Sequence, residues 1–265
     1  MRYFIRLSYN GAPFCGWQIQ KNGQTIQQIL QDALSTLLKE VVEVVGAGRT
    51  DTGVNAINYY AHAEMSPAGA TQLRGRSKEN FIYKLNAILP HQIKVFGIYK
   101  MHPAAHARFD AVSRTYKYFI TTSPNPFNSQ FTHFVKCRNL DIELMNQAAQ
   151  QLLGTQDFSS LQKVGSDNKT TICTVTEAFW SPFKSPAPFS KMERGKDFVF
   201  TVTADRFLRN MVRAMVGSLL EVGTGKRPAE WIAQMLHQKD RCSAGGSVPG
   251  NALFLTDIKY PYKIY

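Results

Sequence analysis

The sequence predicts an α+β fold of two halves, on three observations. Short alternating apolar runs read as strands, and longer runs with apolar residues three and four apart read as amphipathic helices. In the first hundred residues these follow the order strand, helix, strand, strand, helix, strand. The remainder repeats that order with longer connections. This suits two RRM-like or ferredoxin-like halves sharing a mostly antiparallel central sheet, with helices on one side and a basic cleft between the halves. The boundary is placed in the irregular stretch His102 to Phe109, giving an N-terminal half of 1–105 and a C-terminal half of 106–265.

Residues 3–9 alternate, with Tyr3, Ile5, Leu7 and Tyr9 on one face of a strand. Thr25 is the natural cap of a helix, with Gln28 three residues on as its capping-box partner. Ile26, Ile29, Leu30, Ala33, Leu34, Leu37 and Leu38 form the apolar stripe of that helix. Val41 to Val45 reads as a strand, Ile57 to Met65 as another, Asn80 to Leu89 as a helix stopped by Pro90, and Lys94 to Met101 as a strand. In the second half, Arg114 to Thr121 puts Tyr116, Tyr118 and Ile120 on one strand face. Asp141 caps a helix that Gly154 closes. Strands are expected over 173–181 and 197–205, joined by a Pro/Ser/Lys-rich loop from Ser181 to Gly195. The clearest helix runs from Phe207 to Val222, with Arg209 and Arg213 four apart on one face. Pro228 opens a last helix, and Ala252 to Lys259 reads as the final strand.

The hydrophobic share of 44% and charged share of 19% are those of a globular protein. No apolar run approaches the ~18 residues of a membrane span. The first residues carry charges within their apolar run, which does not suit a signal peptide, so a cytoplasmic protein without membrane contact is expected. Cys15, Cys137, Cys173 and Cys242 are scattered, which fits reduced thiols better than disulfides or a zinc site. Pro103 between His102 and His106 removes the helical spacing that a metal pair would use, so no metal is expected. The 31 Lys and Arg against 19 Asp and Glu leave a net charge of +12. Spread along the chain, that excess suggests a folded basic surface for a phosphate backbone. The 17 Phe and 11 Tyr supply core, and stacking platforms for unpaired bases.

The informative stretch is the loop Gly46-Ala47-Gly48-Arg49-Thr50-Asp51-Thr52-Gly53-Val54-Asn55-Ala56. Read alone it is a tight turn with a surface aspartate, or a catalytic carboxylate with an arginine nearby to keep it ionised. A dinucleotide fingerprint would need glycine where Asp51 stands, and a P-loop would need Gly-Lys-Ser/Thr after it.

Taken with this loop, motifs along nearly the whole chain resemble those of the tRNA pseudouridine synthase A family. They are Tyr9-Asn10-Gly11, Phe14 and Gly16-Trp17-Gln18-x-Gln20, then Gly48-Arg49-Thr50-Asp51-x-Gly53-Val54. Leu89-Pro90 with Ile93, His106-Ala107-Arg108-Phe109-x-Ala111 and Arg114-x-Tyr116-x-Tyr118 follow in order. So do Asp157-Phe158, Phe207-x-x-x-Met211-Val212-Arg213-x-Met215-Val216-Gly217 and Ala252-Leu253-Phe254-Leu255. Asn55 departs from the family's usual His and bears on substrate fit more than on the chemistry.

The resemblance implies isomerisation of uridine in the tRNA anticodon stem-loop, with Asp51 as the nucleophile. It implies that Arg49 helps extrude the nucleotide, Tyr116 stacks on the target base, Arg213 pairs with the aspartate and Leu253 lines the pocket. Tyr118 and Arg209 are added as candidate substrate contacts. A homodimer that binds tRNA across both subunits, and no cofactor, are also implied. The competing reading is a non-catalytic RNA-binding module, which accounts for the charge and the aromatics but gives no reason for Asp51. A nucleotide-cofactor enzyme is disfavoured by the aspartate's position.

Overall fold

The structure is a computed structural model, and it describes residues 1–73, 75–137, 139–166, 169–184 and 196–264. It is a mixed α+β protein whose strands pair mostly antiparallel. Its contacts divide it into two compact units, Met1–Val112 with Leu255–Tyr265, and Ser113–Phe254. The last eleven residues thus group with the first unit, whereas adjacency in sequence had placed them with the second half.

In the first unit, β1 (Arg2–Tyr9) lies between two antiparallel partners, β3 (Asn55–Glu64) and β4 (Ile93–Lys100). Short β2 (Val44–Gly46) pairs with the far end of β3. The final strand, β10 (Leu253–Lys259), follows β3 in the sheet order. Tyr3, Ile5, Leu7 and Tyr9 are buried as the alternation requires, but Phe4 on the opposite face is buried too. Tyr260 and Tyr262 cover it, with ring centroids 5.4 and 6.3 Å away.

Helix α1 (Ile26–Leu38) starts on Thr25, whose hydroxyl accepts the Gln28 amide hydrogen at 3.4 Å. The Gln28 side chain does not return the bond but donates to Asp32, one turn on, at 2.8 Å. Beyond α1, the strand predicted from Val41 begins only at Val44. Lys39 ends the helix in the left-handed conformation, and the amides of Val42 and Val44 go to Ser35 Oγ and Gln31 Oε1. Side chains of α1 thus take the amides that a longer strand would offer to a neighbour. A short helix that the periodicity does not signal, α2 (Pro67–Thr71), precedes α3 (Arg76–Ile88).

His62 on β3 is 4% exposed, faces Phe4, and accepts the Ala107 amide hydrogen at Nδ1 at 3.1 Å. Burial, then the Arg2 guanidinium and the His106 ring, lower its pKa from 6.5 to about 4. Such a histidine binds fewer protons folded than unfolded. The contribution of His62 to stability is therefore full above pH 6.5 and falls away as pH drops towards 4, by at most about 3 kcal/mol. Urea midpoints near pH 7 and pH 4.5 should show that loss. His62→Asn, which keeps an acceptor for Ala107, should flatten the slope, and an unchanged slope would place the sensitivity elsewhere.

In the second unit the order is β5 (Ser113–Thr121), β9 (Asp197–Ala204), β8 (Ile172–Phe183) and β7 (Gly154–Asp157), all antiparallel. A two-residue strand, β6 (His133–Phe134), runs parallel to β5. Asp141 caps α4 (Ile142–Gln150) by accepting the Leu144 amide hydrogen at 2.8 Å. Helix α5 (Met211–Gly223) is buried along nearly its whole length, and α6 (Trp231–Gln238) follows. The start of α4 abuts the end of α5, where the Asp141 amide donates to the Gly223 carbonyl. Of the expected 181–195 loop, Ser181 to Phe183 complete β8 and 185–195 lie outside the described residues.

Cys15, Cys137, Cys173 and Cys242 are free thiols, and burial pushes that of Cys173 up to about 12. Among the described residues no helix is long and apolar enough to cross a membrane.

Candidate active site

Asp51 lies in the loop between β2 and β3, half-buried, after exposed Arg49 and buried Thr50. The loop is fastened at several points. The Ala47 amide donates to the Tyr60 carbonyl at 2.9 Å, and the Tyr59 hydroxyl donates to the Gly48 carbonyl. Thr50 is gripped twice: its carbonyl accepts the Trp17 amide hydrogen at 3.1 Å, and its hydroxyl meets Tyr9 Oη at 2.9 Å. The Val54 amide closes a turn onto the Asp51 carbonyl at 3.1 Å, with Gly53 at a φ of 78° that suits glycine.

These contacts give the N-terminal signature its purpose. Trp17 is 1% exposed and lies against Tyr59 with ring centroids 4.3 Å apart. Gly16, at φ 81°, runs so close to the loop that a Cβ would stand 2.5 Å from the Thr50 carbonyl oxygen. Asn55 is 2% exposed, and its Oδ1 accepts the Gly11 amide hydrogen at 2.9 Å. It braces the signature turn. Sequence reasoning gives Asp51 a role and quotes Tyr9 and Thr50 only as motif residues, while Tyr59, which also holds the loop, is not singled out. Tyr59 lies within the apolar run of β3, where it looks like core.

The second unit carries the other candidates. Tyr116 on β5 is 9% exposed, with its ring edge-on to Phe207 at 5.0 Å. Arg213 is the third residue of α5, and its Nε donates to the Val248 carbonyl at 2.7 Å. Tyr118, expected among the substrate contacts, is fully buried, and its hydroxyl donates to the Pro249 carbonyl at 3.0 Å. Burial pushes that phenol's pKa up, and the Arg213 charge offsets part of the rise. Tyr118 and Arg213 are therefore neighbours anchored on consecutive carbonyls. Leu253 is 5% exposed at the first position of β10, its amide bonded to the Gly250 carbonyl at 3.0 Å.

Arg209 differs from expectation. Asn210 takes the left-handed conformation at φ 68°, so α5 begins at Met211 and Arg209 lies in the turn before it. It is exposed there, with its carbonyl accepting the Lys163 amide hydrogen at 2.9 Å. The apolar periodicity that extends back to Leu208 conceals this break.

Comparison with known proteins adds a second line of observation. A family model described as tRNA pseudouridine synthase matches residues 148–261. The chain is 48% identical to the tRNA pseudouridine synthase A of Bacteroides thetaiotaomicron, covering 100% of this chain and 92% of that one. It is 46% identical to that of Parabacteroides distasonis, covering 100% and 98%. The chain belongs to the tRNA pseudouridine synthase A family. The relation extends to the tRNA pseudouridine synthase A of Francisella tularensis subsp. novicida, at 36% identity over 98% of this chain and 94% of that one. A solved Cbf5-Nop10-Gar1 complex aligns over 82% of this chain and 54% of its own at 11% identity, with a TM-score of 0.29, too slight a likeness to argue from. As a family member the chain matches its synthase A relatives from end to end, so the Asp51 loop and the Arg213 helix both fall within the shared length.

Proposed function

We infer that this chain isomerises uridines of the tRNA anticodon stem-loop to pseudouridine, with Asp51 as the nucleophile. The observation that carries the reading is its likeness over full length to proteins named tRNA pseudouridine synthase A. The fastened Asp51 loop adds a local reason, since groups that react must be held by their surroundings.

The reaction breaks the bond from the ribose C1′ to N1 of uracil, turns the base, and forms a bond from C1′ to C5. C5 gives up its proton and N1 ends with one, so atoms balance within the nucleoside and nothing is oxidised. The protein must provide an ionised nucleophile, a nucleotide drawn out of its stack, and a pocket that keeps the detached uracil. Asp51 provides the first by attack at C1′ or at C6. Arg213 opposes its neutralisation in a dry site through a guanidinium contact. Arg49, exposed on the same loop, assists extrusion of the nucleotide. Tyr116 stacks on the base, Leu253 provides apolar wall, and Arg209 contacts the RNA backbone. The ferredoxin-like halves with a shared sheet and the basic cleft expected from the sequence belong to the same reading. The net charge of +12 favours the polyanion, and a homodimer would extend its binding surface.

The test is to incubate the purified protein with an unmodified tRNA transcript and map new pseudouridines by nucleotide. Pseudouridine confined to the anticodon stem-loop is expected. Pseudouridine elsewhere in the tRNA would overturn the site assignment, and none at all would overturn the activity.

A further inference from the structure

We propose that residues 244–250 form a strap that aims the Arg213 guanidinium, and that Ser218 of α5, which pins the strap, is a positioning residue for the reaction. The proposal rests on Arg213 serving the reacting aspartate as described above.

An arginine side chain has many rotamers, and fixing one carries an entropic cost unless neighbours hold it. Here residue 248 clasps residue 213 at two points. The Val248 amide donates to the Arg213 carbonyl at 3.2 Å, and Arg213 Nε donates to the Val248 carbonyl at 2.7 Å. With Nε committed, the end-on edge of the guanidinium is the one able to meet a carboxylate. The direction of that edge follows wherever Val248 is placed.

Val248 is placed by pins on either side. The Gly245 amide donates to the hydroxyl of Ser218, which is fully buried, at 3.0 Å. That hydroxyl is oriented in turn by Met235 Sδ at 3.6 Å. Ser247 Oγ accepts from Asn210 Nδ2 at 2.6 Å and Arg241 Nη2 at 2.9 Å, and the Pro249 carbonyl accepts from Tyr118. The strap reaches the helix because Gly217 has no side chain, since a Cβ there would fall 1.7 Å from the Gly246 carbonyl oxygen. The helix thus offers glycine where the strap crosses and a serine hydroxyl where it is tied. Packing alone would be satisfied by alanine at 218, which could not hold the Gly245 amide.

Steady-state kinetics on tRNA with the full chain separate positioning from mere support. Ser218→Ala should lower kcat about tenfold or more while KM stays within about twofold, the pattern of a misplaced catalytic group. In an Arg213→Lys background, where the fork is already lost, Ser218→Ala should cost almost nothing further. A full loss in both backgrounds, an effect on KM alone, or an unchanged kcat would overturn the proposal. Should Ser218→Ala fail to fold, Ser247→Ala, at an exposed position, should show the same dependence on Arg213, and its absence would overturn the proposal equally. Full activity of Arg213→Lys and Arg213→Ala would instead refute the role given to Arg213 itself.

Discussion

Asp51→Ala should make no measurable pseudouridine while keeping its fold and its affinity for tRNA. Removing the nucleophile of an enzyme costs on the order of 10⁴-fold or more, because positioning and binding alone leave only a small residual rate. The loop should survive the change, since its fastenings run through Thr50, Ala47, Gly48 and the Asp51 main-chain carbonyl. Asp51→Asn is the companion experiment, because it keeps the shape and removes the charge. Release of label from a transcript tritiated at uridine C5 follows the reaction directly, as that hydrogen departs when C1′ joins C5. A residual rate within tenfold of the parent in either variant would exclude Asp51 as nucleophile.

Trp17→Ala should have the largest effect on stability. The ring is 1% exposed between Tyr59 and Tyr9, at centroid distances of 4.3 and 6.1 Å. Emptying such a site costs about 3–5 kcal/mol in a well-packed core. The same residue's amide holds the Thr50 carbonyl, and its carbonyl accepts the Gln27 amide hydrogen at the start of α1. The void would therefore loosen the segment that presents Asp51. Urea unfolding should register the loss, and activity should fall even at temperatures where the variant remains folded. A stability change below about 1 kcal/mol would mean that the ring is not the loop's anchor.

Much of this arrangement was legible in the sequence, for reasons that differ by element. The period-two pattern of Tyr3, Ile5, Leu7 and Tyr9 and the stripe of α1 both report burial on one face. The four strand residues are buried, and so are Ile26, Leu30, Ala33, Leu34 and Leu38 of the stripe, with Ile29 and Leu37 half-buried at its margin. Tyr116, Tyr118 and Ile120 followed from the same alternation. What escaped notice depends on contacts distant in sequence. Val41 reads as strand by composition but is 92% exposed, because side chains of α1 bind the amides of its neighbours. Strands β6 and β7 are two and four residues long, too short to show a period. Arg209 was drawn onto α5 by an apolar stripe that continues across a left-handed Asn210. In the candidate site, the aspartate stood out by its glycine-rich surroundings. The posts that hold it are buried aromatics, and to a sequence reader those look like any other core.

The aromatic cover of Phe4 has a consequence for the order of folding. Tyr260 donates to the Ala107 carbonyl at 2.6 Å, Tyr262 donates to Asp110 at 2.8 Å, and both rings shield Phe4. Because that cover joins segments far apart in sequence, closing it costs more chain entropy than a local contact would. It should therefore settle late, leaving a wet phenylalanine on partly folded forms. Substitutions at Tyr260 and Tyr262 should accordingly do their damage at β1, far from them along the chain.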